Sequence, residues 1–341
     1  MAAKSPSSGP TPKGSRVLSI DVNIGKNGDF TKAFNEARYA GLDAVVLPLN
    51  WDQIETAPNA FAPDPNYLAM ANAYYPALGI PVHLVLRPIH TNQKVVPAEL
   101  MDLEFDDPRT IARFERTLDW VASQIPSVNL KSLVIGSEVD VFLWGDPIKW
   151  SAWTKFYSTV AAYARRRFPG TLISCETTHA AFSGPDLERV RTLHRWSDII
   201  GVSYYPMSNQ LRAVQSPSVV NQDFATIVHA IPKKPIIYYQ IGYPSSRTLG
   251  SSPKQQAAFV TATFRAWDEH ANRILMLDFQ WMHEIQKLGV DAYVDYYDND
   301  TRQFREFLGS LGFQSWSGKP KPAWYVFQKE ATARGFGYRA R

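Results

Sequence analysis

Short apolar runs alternate along the chain with longer segments of helical periodicity. The runs are rich in β-branched residues and apolar almost throughout, which is typical of strands buried on both faces of a parallel sheet. The pattern predicts eight strands, at residues 17–21, 43–49, 81–88, 132–136, 171–175, 198–204, 235–239 and 273–279. The segments between them therefore have to supply the helices that cover such a sheet.

Helical signals fill these segments. Six predicted helices are 30–39, 107–124, 150–168, 185–196, 220–230 and 252–270, and the helix of the eighth β-then-α unit is predicted near 321–334, after a long loop, 281–319. Repeated β-then-α units predict the α/β class and a single (βα)8 TIM barrel. A doubly wound open sheet is the alternative. It requires a glycine-rich phosphate turn after the first strand, and "DVNIGKNGDF" matches that turn poorly.

Composition narrows the functional classes. The chain has 341 residues, of which 45% are hydrophobic, and its net charge is only +4 with scattered basic residues, so we expect no nucleic-acid partner. Cys175 is the single cysteine, which excludes an internal disulfide. No apolar run approaches the roughly 20 residues that span a bilayer, so we expect no membrane partner.

The first residues, "MAAKSPSSGPTPKGS", are rich in Ser, Pro and Gly and lack the apolar core of a signal peptide. We interpret residues 1–15 as a flexible leader and residues 16–341 as one catalytic barrel domain. The leader fits a secretion signal that has been removed, which favours a secreted or periplasmic protein. We expect the chain to act as a monomer.

Polar and aromatic residues follow the predicted strands, where barrel enzymes place their chemistry. They include Asn50, Trp51, Asp52, Arg87, His90, Ser137, Glu138, Asp140, Glu176, Thr177, His179, Tyr204, Tyr205, Gln240, Gln280, Trp281, His283 and Glu284. The set contains no lysine, which argues against a Schiff-base aldolase. No HxH or HExxH spacing supports zinc, and the acidic loop 291–300 lacks EF-hand spacing, so we expect no metal or cofactor.

Five segments together resemble the clan A glycoside hydrolases, nearest to the galactanase, mannanase and β-1,3-glucanase-like families. They are "SLVIGSEVD" (132–140), "GVSYYP" (201–206), "PIIYYQIGYPSS" (235–246), "DFQWM" (278–282) and "GFQSWSGKPKPAW" (312–324). Each motif is weak alone, but the first four occur in the right order on the right strands, and the fifth resembles the closing segment of several such families. The resemblance implies a retaining hydrolase that acts on a β-linked poly- or oligosaccharide.

The resemblance also implies roles for individual residues. Glu138 would be the acid/base, and position 240 would hold the nucleophile. The sugar would be positioned by Trp51, Arg87, Ser137, Tyr204, Tyr205 and Trp281. Strand alternation turns Tyr204 and Tyr205 to opposite faces, so only one of the two would face the sugar.

Two positions depart from the family pattern. Ser137 stands where an asparagine is usual, and Gln240 stands where the nucleophilic glutamate is usual. A glutamine keeps the shape of glutamate and most of its hydrogen-bonding capacity, but it cannot attack the anomeric carbon. We favour an inactivated form of a retaining hydrolase over two alternatives. One is a carbohydrate-binding barrel with native Gln240, and the other is a hydrolase in which Glu176 or Glu284 serves instead. A barrel lyase or isomerase is the weakest candidate, since it would require a metal or a lysine base.

Overall fold

The computed structural model describes residues 9–208 and 211–337. Residues 1–8 of the predicted leader lie outside this range. Lys13, in the described part of this leader, contacts the rest of the protein. Its amide donates a hydrogen bond to the Arg334 carbonyl (2.8 Å), and its ammonium forms a salt bridge with Asp43 at 2.6 Å. Among the helices described, none combines the length and apolar character required to cross a membrane.

Each of the eight predicted strands is present. The strands are β1 Val17–Ile20, β2 Val45–Asn50, β3 Val82–His90, β4 Gln93–Lys94, β5 Leu130–Ser137, β6 Leu172–Ser174, β7 Glu176–Thr178, β8 Ile200–Tyr204, β9 Ile236–Ile241 and β10 Ile274–Phe279. The fifth predicted strand is divided at Cys175 into β6 and β7, and β4 is a short antiparallel addition to β3.

The predicted helices are also present, with further ones between them. They are α1 Phe30–Ala40, α2 Trp51–Ile54, α3 Tyr67–Tyr74, α4 Pro108–Gln124, α5 Val139–Leu143, α6 Pro147–Arg167, α7 Leu187–His194, α8 Val220–Ala230, α9 Pro253–Glu269, α10 Lys287–Tyr297, α11 Arg302–Gly309 and α12 Pro322–Arg334. Short 3-10 turns occur as well.

The segment predicted as a long loop, 281–319, contains α10 and α11. Val290, Val294, Phe304 and Phe307 from these two helices are buried together in one hydrophobic cluster. Short helices are marginal in water and owe most of their stability to the burial of an apolar face. The prediction of a loop was therefore wrong. In the sequence, the acidic residues of this segment were more conspicuous than the apolar residues that α10 and α11 bury.

The chain forms two compact units. The first comprises Met1–Asp43, Tyr205–Ala225 and Ile241–Arg341. In it, β1 and β10 are parallel neighbours, with Val17 opposite Met276. Asp268 on α9 forms salt bridges with Arg16 at 3.0 Å and with Arg334 at 2.6 Å. These salt bridges connect the segment before β1 and the last helix of the unit to α9.

The second unit comprises Ala44–Tyr204 and Thr226–Gln240. In it β2, β3, β5 and β6 are parallel neighbours in that order, and β7 pairs with β8 in the same sense. Between β3 and β5 the register shifts after Leu86, so that His90 rather than Pro88 stands opposite Ser137. The carboxyl ends of these strands carry the polar residues singled out in the sequence.

Gly136 fixes the backbone just before these residues. Its φ is +83°, and a Cβ at this position would lie 2.6 Å from a methyl of Val139 and 2.7 Å from the Trp153 ring. Close approach and left-handed backbone both require glycine here.

We therefore expect Gly136→Ala to lower the free energy of unfolding by about 2–4 kcal/mol, because it combines overpacking with an unfavourable φ. Gly145→Ala is the matched control, since Gly145 has φ +64° but no atom within 4 Å of its Cβ position. It should cost only about 1 kcal/mol. Equal losses in denaturant melts of the two variants would contradict the packing argument.

Candidate functional site

Glu138 directly follows β5 and is clamped by two hydroxyl groups. Thr91 donates to one carboxylate oxygen at 2.7 Å, and Ser203 on β8 donates to the other at 2.6 Å. The backbone of Glu138 is left-handed, with φ 51° and ψ 42°, and the residue caps the N-terminus of α5. Because Thr91, just after β3, and Ser203, on β8, each hold one oxygen, the carboxyl group has one defined orientation.

Ser137, which precedes Glu138 in the chain, forms hydrogen bonds with two other side chains. Its hydroxyl donates to Glu176 at 2.6 Å and accepts from the Gln240 amide nitrogen at 3.2 Å. The same nitrogen lies 3.3 and 3.4 Å from the two oxygens of Glu176. Ser137 and Glu176 are buried, and Gln240 is partly exposed. A carboxyl, a hydroxyl and an amide thus form one hydrogen-bonded group beside the candidate acid.

Burial determines the charge of the Glu176 carboxyl group. The pKa of Glu176 is raised to about 8, first by desolvation and then by repulsion from Glu138, while hydrogen bonds from Ser137 and Gln240 and the charge of Arg87 oppose the rise. Glu176 is therefore protonated in much of the population at neutral pH. A carboxyl shifted this far, in contact with side chains predicted to be functional, is typical of functional sites.

Asp140 anchors the first turn after Glu138. Its carboxylate accepts from the Thr178 amide at 2.8 Å and from the Thr178 hydroxyl at 2.6 Å. Desolvation raises the pKa of Asp140 to about 6. These bonds connect the first turn of α5, which directly follows Glu138, to β7.

Arg87 is the nearby cation. It contacts the His90 ring nitrogen at 3.1 Å, and burial together with the positive charge of Arg87 holds the pKa of His90 well below its usual range. His90 is thus a neutral imidazole that can accept from the guanidinium. Burial raises the pKa of Asp52, and Arg87 partly opposes that rise.

Two residues predicted to contact sugar lie in the core. Trp51 is 0% exposed; its indole donates to Glu55 at 3.0 Å, and its ring meets Phe114 edge-on. Tyr204 is likewise 0% exposed and packs against His179 and Tyr238. Neither ring has a face open to a ligand, so substrate contact by Trp51 or Tyr204 does not fit this structure.

Tyr205 and Trp281 belong to the first unit and pack against the cluster formed by α10 and α11. Tyr205 meets Phe307 edge-on at 5.3 Å, and Trp281 stacks on Tyr293 with ring centroids 6.0 Å apart. Both are partly buried. The peptide bond that precedes Trp281 is cis.

Sequence reasoning missed the two hydroxyls that hold Glu138. Thr91 follows β3 and Ser203 precedes two tyrosines in "GVSYY", but neither residue type is a signal by itself. Glu176 was considered only as a substitute nucleophile, a role its complete burial does not suit. Among the residues described, no group of three or more His, Cys, Asp or Glu side chains could hold a metal ion.

Comparison with known proteins gives matches in structure alone. No protein-family model matches the chain, and no curated protein sequence does either. A GH5_18 protein from Streptomyces cattleya, solved in complex with GlcNAc, is 16% identical, with a TM-score of 0.73 over 98% of this chain and 83% of that one. A GH5_18 protein from Bifidobacterium longum subsp. infantis is 11% identical, with a TM-score of 0.71 over 95% and 80%.

The exo-β-1,4-mannosidase Op5Man5 from the Opitutaceae bacterium strain TAV5 is 15% identical, with a TM-score of 0.72, and the match covers 98% of this chain and 62% of that one. At such identities the likeness shows the fold. The chain has the α/β fold of the (βα)8-barrel glycoside hydrolases, which confirms the fold class and, at the level of fold, the resemblance to clan A.

We predict that Glu176→Gln makes stability less dependent on pH. The folded-state pKa of about 8 lies above the 4.5 of an unburied glutamate, so the folded protein holds a proton that the unfolded chain releases, and this stabilisation is lost as pH rises towards 8. The thermal midpoint of the variant relative to the parent should therefore rise by a few degrees between about pH 5 and pH 9. Glu188→Gln, at a side chain that is 79% exposed, is the control and should show a constant difference.

Proposed function

We propose that the chain is a retaining glycoside hydrolase for β-linked poly- or oligosaccharides, present here in a form that lacks the covalent nucleophile. Glu138 is the acid/base and Gln240 occupies the nucleophile position. No cofactor is needed for this chemistry. A secreted or periplasmic location and a monomeric state remain predictions.

The clamp on Glu138 is the observation that carries the proposal. Thr91 and Ser203 hold the carboxyl group in one orientation, and the adjacent Ser137 bonds the Gln240 amide at 3.2 Å. Retaining hydrolysis needs an acid/base and a second carboxyl group about 5–5.5 Å apart. The fixed orientation of Glu138 supports its assignment as the acid, and the Ser137–Gln240 hydrogen bond supports position 240 as the place of the second carboxyl group.

The second candidate is a carbohydrate-binding barrel in which Gln240 is native. It is favoured by the hydrogen bonds of the Gln240 amide nitrogen, which is directed at Ser137 and at both oxygens of Glu176. An amide satisfies those acceptors directly. The solved structures of this fold include GH5_18 from Streptomyces cattleya in complex with GlcNAc and a variant of GH5_18 from the same organism in complex with Manβ1-4GlcNAc, which makes short β-linked oligosaccharides the first ligands to try.

Gln240→Glu should create hydrolysis with retention at the anomeric carbon, because it completes the pair of carboxyl groups. We expect a rate gain of roughly 10^4-fold or more over the Gln240 protein. The measurement is hydrolysis of β-linked manno-, gluco- and galacto-oligosaccharides, with product anomers read by NMR. Inverted products would exclude position 240 as the nucleophile, and an inert Gln240→Glu protein whose parent binds one of these sugars would favour the binding barrel.

Glu138→Gln, made on the Gln240→Glu background, should spare aryl glycosides more than natural oligosaccharides. A good leaving group needs no proton, so loss of the general acid matters mainly for poor leaving groups, where the loss should be about 10^2–10^4-fold. Glu188→Gln on the same background is the control for an exposed carboxyl group. Equal losses on both substrate classes would remove Glu138 from the acid role.

Trp281→Ala should weaken oligosaccharide binding to the Gln240 protein by about tenfold, since aromatic rings contribute apolar contact area to ligand sites. Trp196→Ala removes a different, 49% exposed indole and is the control. Titration calorimetry distinguishes the two. Unchanged affinity in Trp281→Ala, with a lowered thermal midpoint, would assign Trp281 to the hydrophobic cluster alone.

A further inference from the structure

We propose that Glu176 is a positioning residue that holds a proton beside position 240. It would donate that proton in a hydrogen bond to a carboxylate placed at 240 and so leave the carboxylate ionised to attack. This inference rests on the proposed function, and it assigns to Glu176 a role that the resemblance to clan A does not include.

Burial decides what Glu176 can do. Its side chain is 0% exposed, so it does not reach a substrate. Its two oxygens lie 3.3 and 3.4 Å from the Gln240 amide nitrogen, and one of them receives the Ser137 hydroxyl at 2.6 Å. Glu176 therefore acts through residue 240 and through Ser137, the neighbour of Glu138.

A carboxylate at position 240 needs a hydrogen-bond donor beside it. The hydroxyl proton of Ser137 is directed at Glu176, so the Ser137 oxygen can only accept from residue 240. Gln240 provides that donor, whereas a carboxylate at 240 has none to offer. In the geometry of this group, the carboxylic proton of Glu176 is then the donor that can bridge to position 240.

The groups around Glu176 favour its protonated form. Burial and repulsion from Glu138 both disfavour a negative charge there, and together they outweigh the hydrogen bonds from Ser137 and Gln240 and the attraction of Arg87. Tyr239 and Cys175 also interact with Glu176, and burial raises the pKa of each, so both are neutral near pH 7. A carboxylate at 240 adds a second repulsion and strengthens the hold of Glu176 on its proton.

Infrared difference spectroscopy tests the proton directly and does not depend on activity. In Gln240→Glu at about pH 7.5, the carbonyl stretch of a buried protonated carboxylic acid should be present. Because the acid Glu138 contributes a band of its own, the intensity should fall by the contribution of one group in Gln240→Glu/Glu176→Gln and stay unchanged in Gln240→Glu/Glu188→Gln. Asp140, the other buried carboxyl group near the site, has a pKa of about 6 and is mostly ionised at this pH.

Kinetics on the Gln240→Glu background test the positioning. Glu176→Met keeps the length of the side chain but removes the hydrogen bond, so kcat should fall about 100-fold with KM changed less than about threefold. Glu176→Gln restores a donor, and kcat should recover to within about tenfold of the Gln240→Glu value. Circular dichroism melts confirm that each variant is folded.

The two readouts separate the possible failures. If Gln240→Glu is inert but its infrared band depends on Glu176, the proposed hydrolysis fails and the proton assignment stands. A band whose intensity Glu176→Gln leaves unchanged, or one that is absent in Gln240→Glu, overturns the proton assignment. Equal kcat for the Met and Gln variants overturns the positioning role even where hydrolysis is observed.

Discussion

The buried carboxyl group of Glu176 is the constraint around which the candidate site is arranged. An ionised carboxylate without partners is very costly in a protein interior, so its surroundings must either supply donors or let it keep a proton. Ser137 and Gln240 supply donors, while desolvation and Glu138 raise the pKa to about 8. The outcome is a group poised between two charge states near neutral pH.

The same group connects the two halves of the proposed chemistry. Ser137 precedes Glu138, and its hydroxyl can donate and accept at once, so it links the candidate acid to position 240. With glutamine at 240, Glu176 accepts hydrogen bonds from the amide; with glutamate there, a protonated Glu176 can donate instead. A binding protein and a hydrolase of this fold can thus differ at one atom of one side chain, which is consistent with the general rule that function resides in a site rather than in a fold.

The sequence by itself determined the alternation of strands and helices, because doubly buried strands need continuous apolar runs and the helices between them need amphipathic ones. It also placed Glu138 and Gln240 at the ends of predicted strands, in motifs that resemble those of the clan A glycoside hydrolases. It did not reveal α10 and α11, whose stability comes from burying Phe304 and Phe307 in a shared cluster.

Tertiary structure decided which polar and aromatic residues belong to the site. Trp51 and Tyr204 follow or end strands just as Glu138 does, yet their rings turn into the core, where Phe114 and Tyr238 pack against them. Thr91, Ser203 and Glu176 are far apart in sequence and are unremarkable residue types. Only the packing of parallel strands brings hydroxyl oxygens within 2.7 Å of Glu138 and a carboxyl group beside Gln240. Hydrogen bonds of this kind depend on distances in space that residue order alone does not encode.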